Sequence, residues 1–311
     1  MEKIAIIGAG LIGRAWAIVF ARAGHPVKLW DHDASAVPNA LRLIEDAARE
    51  LRTAGLIDEE PDTISARLTP AATLAEAVLD ADYVQENTAE RLDVKRDVYA
   101  QMDAIAKPAC ILASSTSTIP ASAFSEGLAG RHRCIVAHPV NPPHVVPIVE
   151  LCPAPWTGTD VLARARALHE KVGQVPIVMN KEIQGFILNR LQAALLMEAW
   201  RLVGEGYVSA EDLDKTIKDG LGLRWSFMGP FETIDLNAPG GVRDYAARYG
   251  RMLYEQVAAV QHKPWDEPLI SKIEAERRKV MPQAKHAQRE AWRDRRLMAL
   301  IAHKRGIGAE D

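Results

Sequence analysis

One histidine and one glutamate flank a proline-rich turn in the segment AHPVNPPHVVPIVEL, which covers residues 137–151. A histidine such as His138 can take up and return a proton at working pH. A carboxylate such as that of Glu150, placed on the far ring nitrogen, would fix the tautomer and stabilise the imidazolium. The two residues therefore suggest an acid/base pair, although an ordinary loop histidine and a strand-end charge would give the same pattern.

A glycine-rich turn follows the first strand-like run of the chain. Residues 3–7, KIAII, form a short run rich in β-branched isoleucine, as a buried parallel strand requires, and 14–23 have a helical pattern. In the turn between them, Gly8 allows a tight bend, Gly10 lets the backbone approach a pyrophosphate, and Gly13 lets the helix pack on the strand. The predicted cofactor-binding residues of this turn are Gly8, Gly10, Leu11, Ile12 and Gly13.

The second predicted strand, 27–30, ends at Asp31, about 20 residues after the turn. A carboxylate at this point accepts hydrogen bonds from the adenosine ribose and repels a 2′-phosphate. Because His32 and Asp33 follow and no arginine does, the sequence favours NAD over NADP. The alternative is that Asp31 only caps the next helix.

Strands and helices alternate through the first half of the chain. Further strands are predicted at 66–68, 83–85, 111–114, 134–137, 148–151 and 175–179, with helices at 37–53 and 92–105. This order predicts an α/β fold with a Rossmann-type, doubly wound and mostly parallel sheet. Residues 86–90, 114–118 and 138–143 follow predicted strands, so they are expected to meet at the ligand-binding edge of the sheet.

The second half has helical patterns and no strand alternation. We predict an NAD-binding domain at 1–184 and an all-helical substrate and dimerisation domain at 185–311. Its helices are expected at 185–205, 210–220, 241–260, 268–280 and 286–303. The first of these is apolar enough to be largely buried, either as the core of a homodimer or by packing within one chain. The basic and acidic residues after 271 alternate, which is typical of a solvated helix face.

Composition excludes several classes of partner. The net charge of −3 gives no bias toward nucleic acid. The three cysteines, Cys110, Cys134 and Cys152, form no metal-ligand pattern, so neither a disulfide framework nor a metal site is expected. No apolar run approaches the roughly 20 residues of a membrane span, and the chain enters a strand directly after Met1. We therefore expect a cytoplasmic protein.

Six motifs occur together and in order: GAGLIG, ENTAERLDVK, SSTS, AHPVNPP, VEL and GFILNRL. In this combination the chain resembles the L-3-hydroxyacyl-CoA dehydrogenase superfamily over nearly its whole length. Within that superfamily, AHPVNPP, NRLQ and KDGLGLR are most similar to the lambda-crystallin branch, which is L-gulonate 3-dehydrogenase.

The resemblance implies roles for matching residues. His138 would be the general base that takes the hydroxyl proton while hydride leaves for NAD, and Glu150 would orient and stabilise it. Ser117 would hydrogen-bond the substrate hydroxyl or carbonyl, and Asn189 would do likewise or orient His138. Glu90 and Lys95 would line the cleft near the nicotinamide ribose. The residues alone leave alternatives open. Ser117 could cap a helix, Asn189 could satisfy backbone groups at the domain junction, and Glu90 with Lys95 could be a solvated pair.

One departure from the family bears on the substrate. Members that use coenzyme A carry basic residues after the second strand, whereas 32–41 contain no lysine or arginine. Arg224 stands where those enzymes have a small residue, and it could bind the carboxylate of a small hydroxy acid unless it forms a structural salt bridge. The leading hypothesis is an NAD-dependent dehydrogenase of a free 3-hydroxy acid, L-gulonate or a relative. The alternatives are a short-chain 3-hydroxyacyl-CoA dehydrogenase, a carnitine 3-dehydrogenase, or a structural protein that keeps the fold without catalysis.

Overall fold

The protein is represented by a computed structural model, which describes residues 1–258, 260 and 263–307. It has two compact units. The first comprises Met1–Arg190 with Glu290–Asp311, and the second comprises Leu191–Arg289. This division by contacts assigns most of the last helix to the first unit, and the predicted domains 1–184 and 185–311 stay a prediction.

Eight strands form a single sheet in the first unit. They are β1 (Ile4–Ile7), β2 (Val27–Trp30), β3 (Leu68–Pro70), β4 (Tyr83–Glu86), β5 (Ile111–Ser114), β6 (Cys134–Pro139), β7 (Ile148–Pro153) and β8 (Val175–Val178). Their order is β3-β2-β1-β4-β5-β6-β7-β8. All neighbouring strands are parallel except β6 and β7, which are antiparallel. The predicted doubly wound, mostly parallel sheet is thereby confirmed.

The strand predicted at 66–68 lies two residues too early. Ala66 caps a short helix, and the amide of Arg67 bonds to the carbonyl of Ile64, so both residues end that helix. The ladder with β2 begins only at Leu68.

Helices cover both faces of this sheet. They are α1 (Leu11–Arg22), α2 (Ala36–Thr53), α3 (Pro61–Ser65), α4 (Leu74–Val78), α5 (Leu92–Ile105), α6 (Ala121–Ser125), α7 (Thr159–Lys171) and the first residues of α8 (Phe186–Gly204). Ile4 and Ile6 of β1 lie in one apolar core, and Ala5 and Ile7 lie in the other. Successive side chains of a strand point to opposite faces, which explains why this strand is apolar throughout.

The second unit is helical, as predicted. After α8 come α9 (Ala210–Lys215), α10 (Gly222–Trp225), α11 (Pro230–Leu236), α12 (Gly241–Ala258), α13 (Glu267–Val280) and the start of α14 (His286–Ile307). A π-helical turn, Thr216–Leu221, joins α9 to α10. Residue 259 of the predicted helix 241–260 lies outside the described residues.

Most of α14 packs in the first unit. Met298 is buried in the apolar core that contains Ile4, and Leu297 and Ile301 pack against that core. Arg305 donates to the carbonyl of Leu56 at 3.0 Å. These contacts join residues far apart in sequence, which is why charge alternation in the tail did not predict them.

Packing within the described chain does not bury α8, so of the two predicted alternatives only burial in a homodimer core remains, as a prediction. Leu191 is 65% exposed, and Leu195 and Leu196 are 38% and 36% exposed. Among the described residues of Leu191–Arg289, the buried hydrophobic residues are Val203, Ala210 and Ala238. The apolar surface of α8 therefore has no matching core within its own unit.

The three cysteines are buried and free, and burial raises the pKa of each thiol to about 12. They act as small hydrophobes, as predicted. Among the described residues, no three His, Cys, Asp or Glu side chains are grouped as metal ligands. None of the described helices has the length and apolarity needed to cross a membrane. The cytoplasmic location stays a prediction.

Candidate active site

The glycine-rich turn lies between β1 and α1, and its three glycines have different surroundings. Gly8 has φ +94°, and a Cβ there would lie 2.7 Å from the Asn87 carbonyl oxygen. A Cβ on Gly13 would lie 1.8 Å from the Gly8 carbonyl oxygen. A Cβ on Gly10 would meet nothing within 4 Å, so this side of the turn is open. The backbone can therefore approach a ligand at Gly10, while Gly8 and Gly13 hold strand and helix together.

The start of α1 suits a pyrophosphate. Gly10 is its N-cap and makes no side-chain capping bond, so the first amides, including those of Leu11 and Ile12, have no partner within the helix. These amides and the positive end of the helix dipole favour an anion. The residues present therefore fit the phosphates of a dinucleotide.

Asp31 stands directly after β2, beside a cavity of about 810 Å³ that Trp30, His32 and Pro70 also line. One carboxylate oxygen accepts the Ala9 amide at 2.7 Å, and the other accepts the Asp33 amide at 3.0 Å. The following helix, α2, has Ser35 as its N-cap. Asp31 thus does not cap that helix, and the cavity beside it has the size and position that an adenosine group needs.

His138 and Glu150 face each other across the antiparallel pair β6–β7. His138 Nδ1 lies 2.8 Å from Glu150 Oε2, and the residues are 6% and 2% exposed. Glu150 Oε1 accepts the amides of Ile187 and Leu188, each at 2.8 Å, at the start of α8. A cross-strand ladder and a helix N-terminus therefore fix the pair.

The charge of Glu150 sets the tautomer of His138. Burial alone would raise the pKa of Glu150, but the hydrogen bonds from His138 and from the two amides, and the attraction of the imidazolium whenever the ring is protonated, hold it below its usual value. An ionised carboxylate can only accept, so Nδ1 carries the ring proton. No described residue bonds to Nε2, whose lone pair can therefore accept a proton from a ligand.

The segment SSTST at 114–118 carries five hydroxyl groups, and four of them are held by protein partners. Ser114 donates to Glu86 at 2.5 Å and Ser115 donates to Asn87 at 2.7 Å. The hydroxyls of Thr116 and Thr118 donate to Glu90 Oε1 at 2.7 and 3.0 Å. The fifth is on Ser117. It is exposed and has no hydrogen-bond partner among the described residues, so it alone of the five can serve a ligand.

Two further predicted residues position Ser117 through its backbone. Glu90 Oε1 accepts its amide at 2.9 Å, and Asn189 Nδ2 donates to its carbonyl at 3.0 Å. Burial alone would raise the pKa of Glu90, but hydrogen bonds from Thr116 and Thr118 and the charge of Lys95 lower it. The helix-cap alternative for Ser117 is wrong, because α6 has Pro120 as its N-cap and no side-chain cap. The alternative that Asn189 satisfies a backbone group is confirmed by its bond to the Ser117 carbonyl.

Lys95 is buried behind β4. It is 1% exposed, and its ammonium group lies 3.0 Å from both oxygens of Glu86 and 3.8 Å from Glu90. The alternative of a solvated pair at a helix start is therefore wrong for Lys95. The ammonium group points to Glu86. The predicted contact of Lys95 with the nicotinamide ribose stays a prediction.

Sequence reasoning assigned no role to Gln85 and Phe186, and it placed Glu86 only in the loop after the strand. Gln85 and Glu86 are polar residues inside a buried parallel strand, where such residues are uncommon, and for Gln85 that was the available signal. Phe186 has φ 49°, is fully buried, and its ring centroid lies 5.3 Å from that of His138. A positive φ at a phenylalanine has no reliable signature in sequence.

Arg224 lies in α10 of the second unit and is exposed. Its guanidinium has no ion-pair or hydrogen-bond partner among the residues that the structure describes. The intradomain salt bridge considered from the sequence is therefore not formed there.

Comparisons with known proteins cover the whole chain. The NAD-binding domain of 3-hydroxyacyl-CoA dehydrogenase matches residues 3–183, and the C-terminal domain of the same family matches 185–280. Lambda-crystallin from Oryctolagus cuniculus is 41% identical, covering 97% of this chain and 96% of its own length. L-carnitine dehydrogenase from Streptomyces coelicolor is 35% identical, covering 100% and 97%.

A solved structure has a similar fold throughout. It is that of 5-formyl-3-hydroxy-2-methylpyridine 4-carboxylic acid 5-dehydrogenase, an NAD+ dependent dismutase. It has a TM-score of 0.82 and 28% identity, and it covers 96% of this chain and 97% of its own. The similarity extends through both units.

Proposed function

The chain belongs to the 3-hydroxyacyl-CoA dehydrogenase family of NAD-dependent enzymes, and from this premise we propose that it oxidises the 3-hydroxyl of a small free hydroxy acid, L-gulonate or a close relative. The observation that carries the proposed chemistry is the His138–Glu150 pair, with 2.8 Å between Nδ1 and Oε2. It leaves a neutral imidazole nitrogen available as general base.

We assign the proton to His138 Nε2. As the hydroxyl is oxidised, its proton passes to this nitrogen, and the ionised Glu150 stabilises the imidazolium at Nδ1. Because Glu150 also accepts two amides, it stays in place while the charge on the ring changes. In the reverse direction the imidazolium returns the proton to a carbonyl oxygen.

The Ser117 hydroxyl donates to the substrate oxygen in this proposal. Glu90 and Asn189 hold the Ser117 backbone from both sides, so the hydroxyl is oriented before the substrate arrives. Bound NAD supplies the two-electron acceptor for the carbon. The turn at Gly8–Gly13 and Asp31 would hold its pyrophosphate and adenosine ribose, with Glu90 and Lys95 on the nicotinamide side.

Two features support a free acid over a coenzyme A thioester. No lysine or arginine occurs in 32–41, and Arg42, the first cation of α2, is already paired with Asp46 at 3.3 Å. Arg224 has an exposed guanidinium suited to a substrate carboxylate. The relative with a TM-score of 0.82 also acts, by its name, on a free carboxylic acid.

The test is a substrate panel of free 3-hydroxy acids including L-gulonate, with 3-hydroxybutyryl-CoA and L-carnitine. We expect a free acid to give the highest kcat/KM. In Arg224→Gln, the KM for that acid should rise at least about tenfold, with the Kd for NAD unchanged. Arg251→Gln is the matched control, since Arg251 is an exposed cation of the same unit that pairs with Glu255. Turnover of the thioester alone, or equal KM values in both variants, would reject the free-acid proposal.

A second candidate substrate is L-carnitine, favoured by the 35% identity to a carnitine dehydrogenase. Its trimethylammonium group would gain nothing from a guanidinium. Carnitine oxidation that Arg224→Gln leaves unchanged or improves would therefore favour this second candidate.

We also propose a homodimer formed through the second unit. Several of its large apolar side chains are exposed: Phe231 (78%), Tyr254 (72%), Phe227 (69%), Leu236 (68%) and Leu191 (65%). Large apolar side chains exposed in such number commonly mark a protein interface. Analytical ultracentrifugation should give a two-chain species, and a monomer at micromolar concentration would refute this assembly.

A further inference from the structure

A chain of buried polar side chains lies on one face of β4. Tyr83 and Gln85 of this strand point to the same face, and both are at most 1% exposed. Gln85 Nε2 donates to Ser115 Oγ at 2.7 Å and to the Ala137 carbonyl at 3.1 Å, while Tyr83 donates to Gln85 Oε1 at 2.9 Å. Ala137 immediately precedes His138, and Ser115 lies two residues before Ser117.

The partners of Gln85 fix the orientation of its amide. The Ala137 carbonyl can only accept, so the NH₂ group must face it, and both amide protons are used by Ala137 and Ser115. The oxygen then faces Tyr83, whose single proton it receives. Tyr83 oxygen lies 2.9 Å from His169 Nε2. Burial lowers the pKa of His169 to about 3, so the imidazole is neutral and Nε2 carries its proton.

The other end of the chain is equally determined. Ser115 Oγ accepts from Gln85 and from Trp16 Nε1, which is 3.0 Å away and can only donate. Ser115 must therefore donate to Asn87 Oδ1 at 2.7 Å. The amide of Asn87 donates to the carbonyls of Gln85 and Ile7 at 2.7 and 3.4 Å. Every proton from His169 to β1 has one acceptor, so the network has a single arrangement.

This network connects the segments that carry the proposed site. β5 ends at Ser114, and Gln85 reaches past that end from β4 to Ala137 on β6. Asn87 also lies against the cofactor turn, because its carbonyl would be 2.7 Å from a Cβ on Gly8. Burying a glutamine is costly unless its hydrogen bonds are made. Here its two donated bonds go to Ser115 and Ala137, and its oxygen accepts from Tyr83 of its own strand.

We propose that Gln85 is a positioning residue for the reaction: it holds the Ser117 segment and the strand end that carries His138 in fixed relation to the cofactor turn. This inference rests on the proposed roles of Ser117 and His138. It assigns Gln85 no contact with substrate or cofactor. Replacing Gln85 should therefore lower the rate of the chemical step in the complex with NAD and substrate, because a misplacement of about 1 Å can cost a hundredfold in rate.

The test is Gln85→Met, which keeps the size and removes all three hydrogen bonds. We expect kcat to fall about 10- to 100-fold on whichever substrate of the panel the wild type oxidises, with the KM for NAD within about threefold. The matched control is Gln174→Met. Gln174 is another buried glutamine that donates to a carbonyl, that of Pro143 at 3.3 Å. An equal loss of kcat in both variants, at equal loss of thermal stability, would overturn the proposal.

A second readout does not depend on the substrate. The crystal structure of Gln85→Met should show residues 115–118 or the Ala137 carbonyl displaced by more than about 0.5 Å relative to the glycine-rich turn, the tolerance of a preorganised site. Unchanged positions would overturn the proposal even if the free-acid proposal holds. If Gln85→Met does not fold, Ser115→Ala replaces it. Ser115→Ala removes the bond from Gln85 together with the bonds to Trp16 and Asn87, and it should lower kcat about 3- to 10-fold. A kcat for Ser115→Ala within about 1.5-fold of wild type would refute the role of the network.

Discussion

Replacing Glu150 by glutamine tests the acid/base pair with almost no change in size. Oε1 of Glu150 receives two amides at 2.8 Å, those of Ile187 and Leu188. In Glu150→Gln these donors must face the amide oxygen, so the NH₂ group turns toward His138 Nδ1. A donor at that position requires Nδ1 to give up its proton, which moves to Nε2. The nitrogen proposed to accept the substrate proton is then already protonated.

The expected loss follows from this change of tautomer. General-base catalysis contributes about 10²- to 10⁴-fold, and the analogous change in the serine protease triad costs about 10⁴-fold. We expect kcat to fall about 10³- to 10⁴-fold, which corresponds to roughly 4–5.5 kcal/mol of transition-state stabilisation. The Kd for NADH should stay within about threefold, since Glu150 is assigned no contact with the cofactor.

The assay is NADH formation in the steady state, with NADH binding followed by fluorescence and folding by thermal denaturation. Glu182→Gln is the matched control, because Glu182 accepts the Ser122 amide at 2.8 Å and has no histidine partner among the described residues. The control should retain activity within about twofold. If Glu150→Gln kept kcat within about tenfold of the wild type, the tautomer argument and the assignment of His138 as base would both be refuted.

Three further substitutions test other parts of the structure. Gly13→Ala places a Cβ 1.8 Å from the Gly8 carbonyl oxygen, so the Kd for NADH should rise at least about tenfold through overpacking; an unchanged Kd in fluorescence titration would contradict this. Asp31→Ser removes the carboxylate that accepts the Ala9 amide, and the NAD-over-NADP ratio of kcat/KM should fall about tenfold or more; a constant ratio would count against Asp31 as the selector. His169, with its pKa lowered by burial to about 3, stays neutral when folded and gains a proton when unfolded below its ordinary pKa of about 6.5. As the pH is lowered from about 6.5 toward about 3, the free energy of unfolding should therefore fall by up to about 1.4 kcal/mol per pH unit, and by less in His169→Gln. An equal pH dependence of the unfolding free energy in the two proteins, measured by urea denaturation, would exclude this contribution.

Local patterns predicted the sheet well, because each element carries its own signal. The β-branched run before Gly8, the glycine spacing and Asp31 after the second strand all depend on residues close together in sequence. The observed β1, α1 and β2 lie within a few residues of their predicted bounds. The pairing of His138 with Glu150 could also be predicted, since the connection between two neighbouring strands, 140–147, brings residues twelve apart face to face.

The surroundings of each site residue could not be predicted from the sequence in this way. SSTST offers five equivalent hydroxyls in sequence, and only the positions of Glu86, Asn87 and Glu90 leave the Ser117 hydroxyl without a partner among the described residues. Lys95 has the pattern of a surface residue, yet the fold buries it against Glu86. Such outcomes depend on which side chains meet across strands, and no local preference encodes that.

The amino-acid sequence determined the fold class and the cofactor and predicted His138 and Glu150 as a candidate pair, because glycine conformation, hydrophobic period and side-chain chemistry are properties of short segments. The tertiary structure alone decided that α14 packs with the first unit, that α8 presents exposed apolar residues, and that Gln85 joins Ser115 to Ala137. Each of these rests on contacts between residues distant in sequence. Their free energy comes from burial and from satisfied hydrogen bonds, which exist only once the chain has folded.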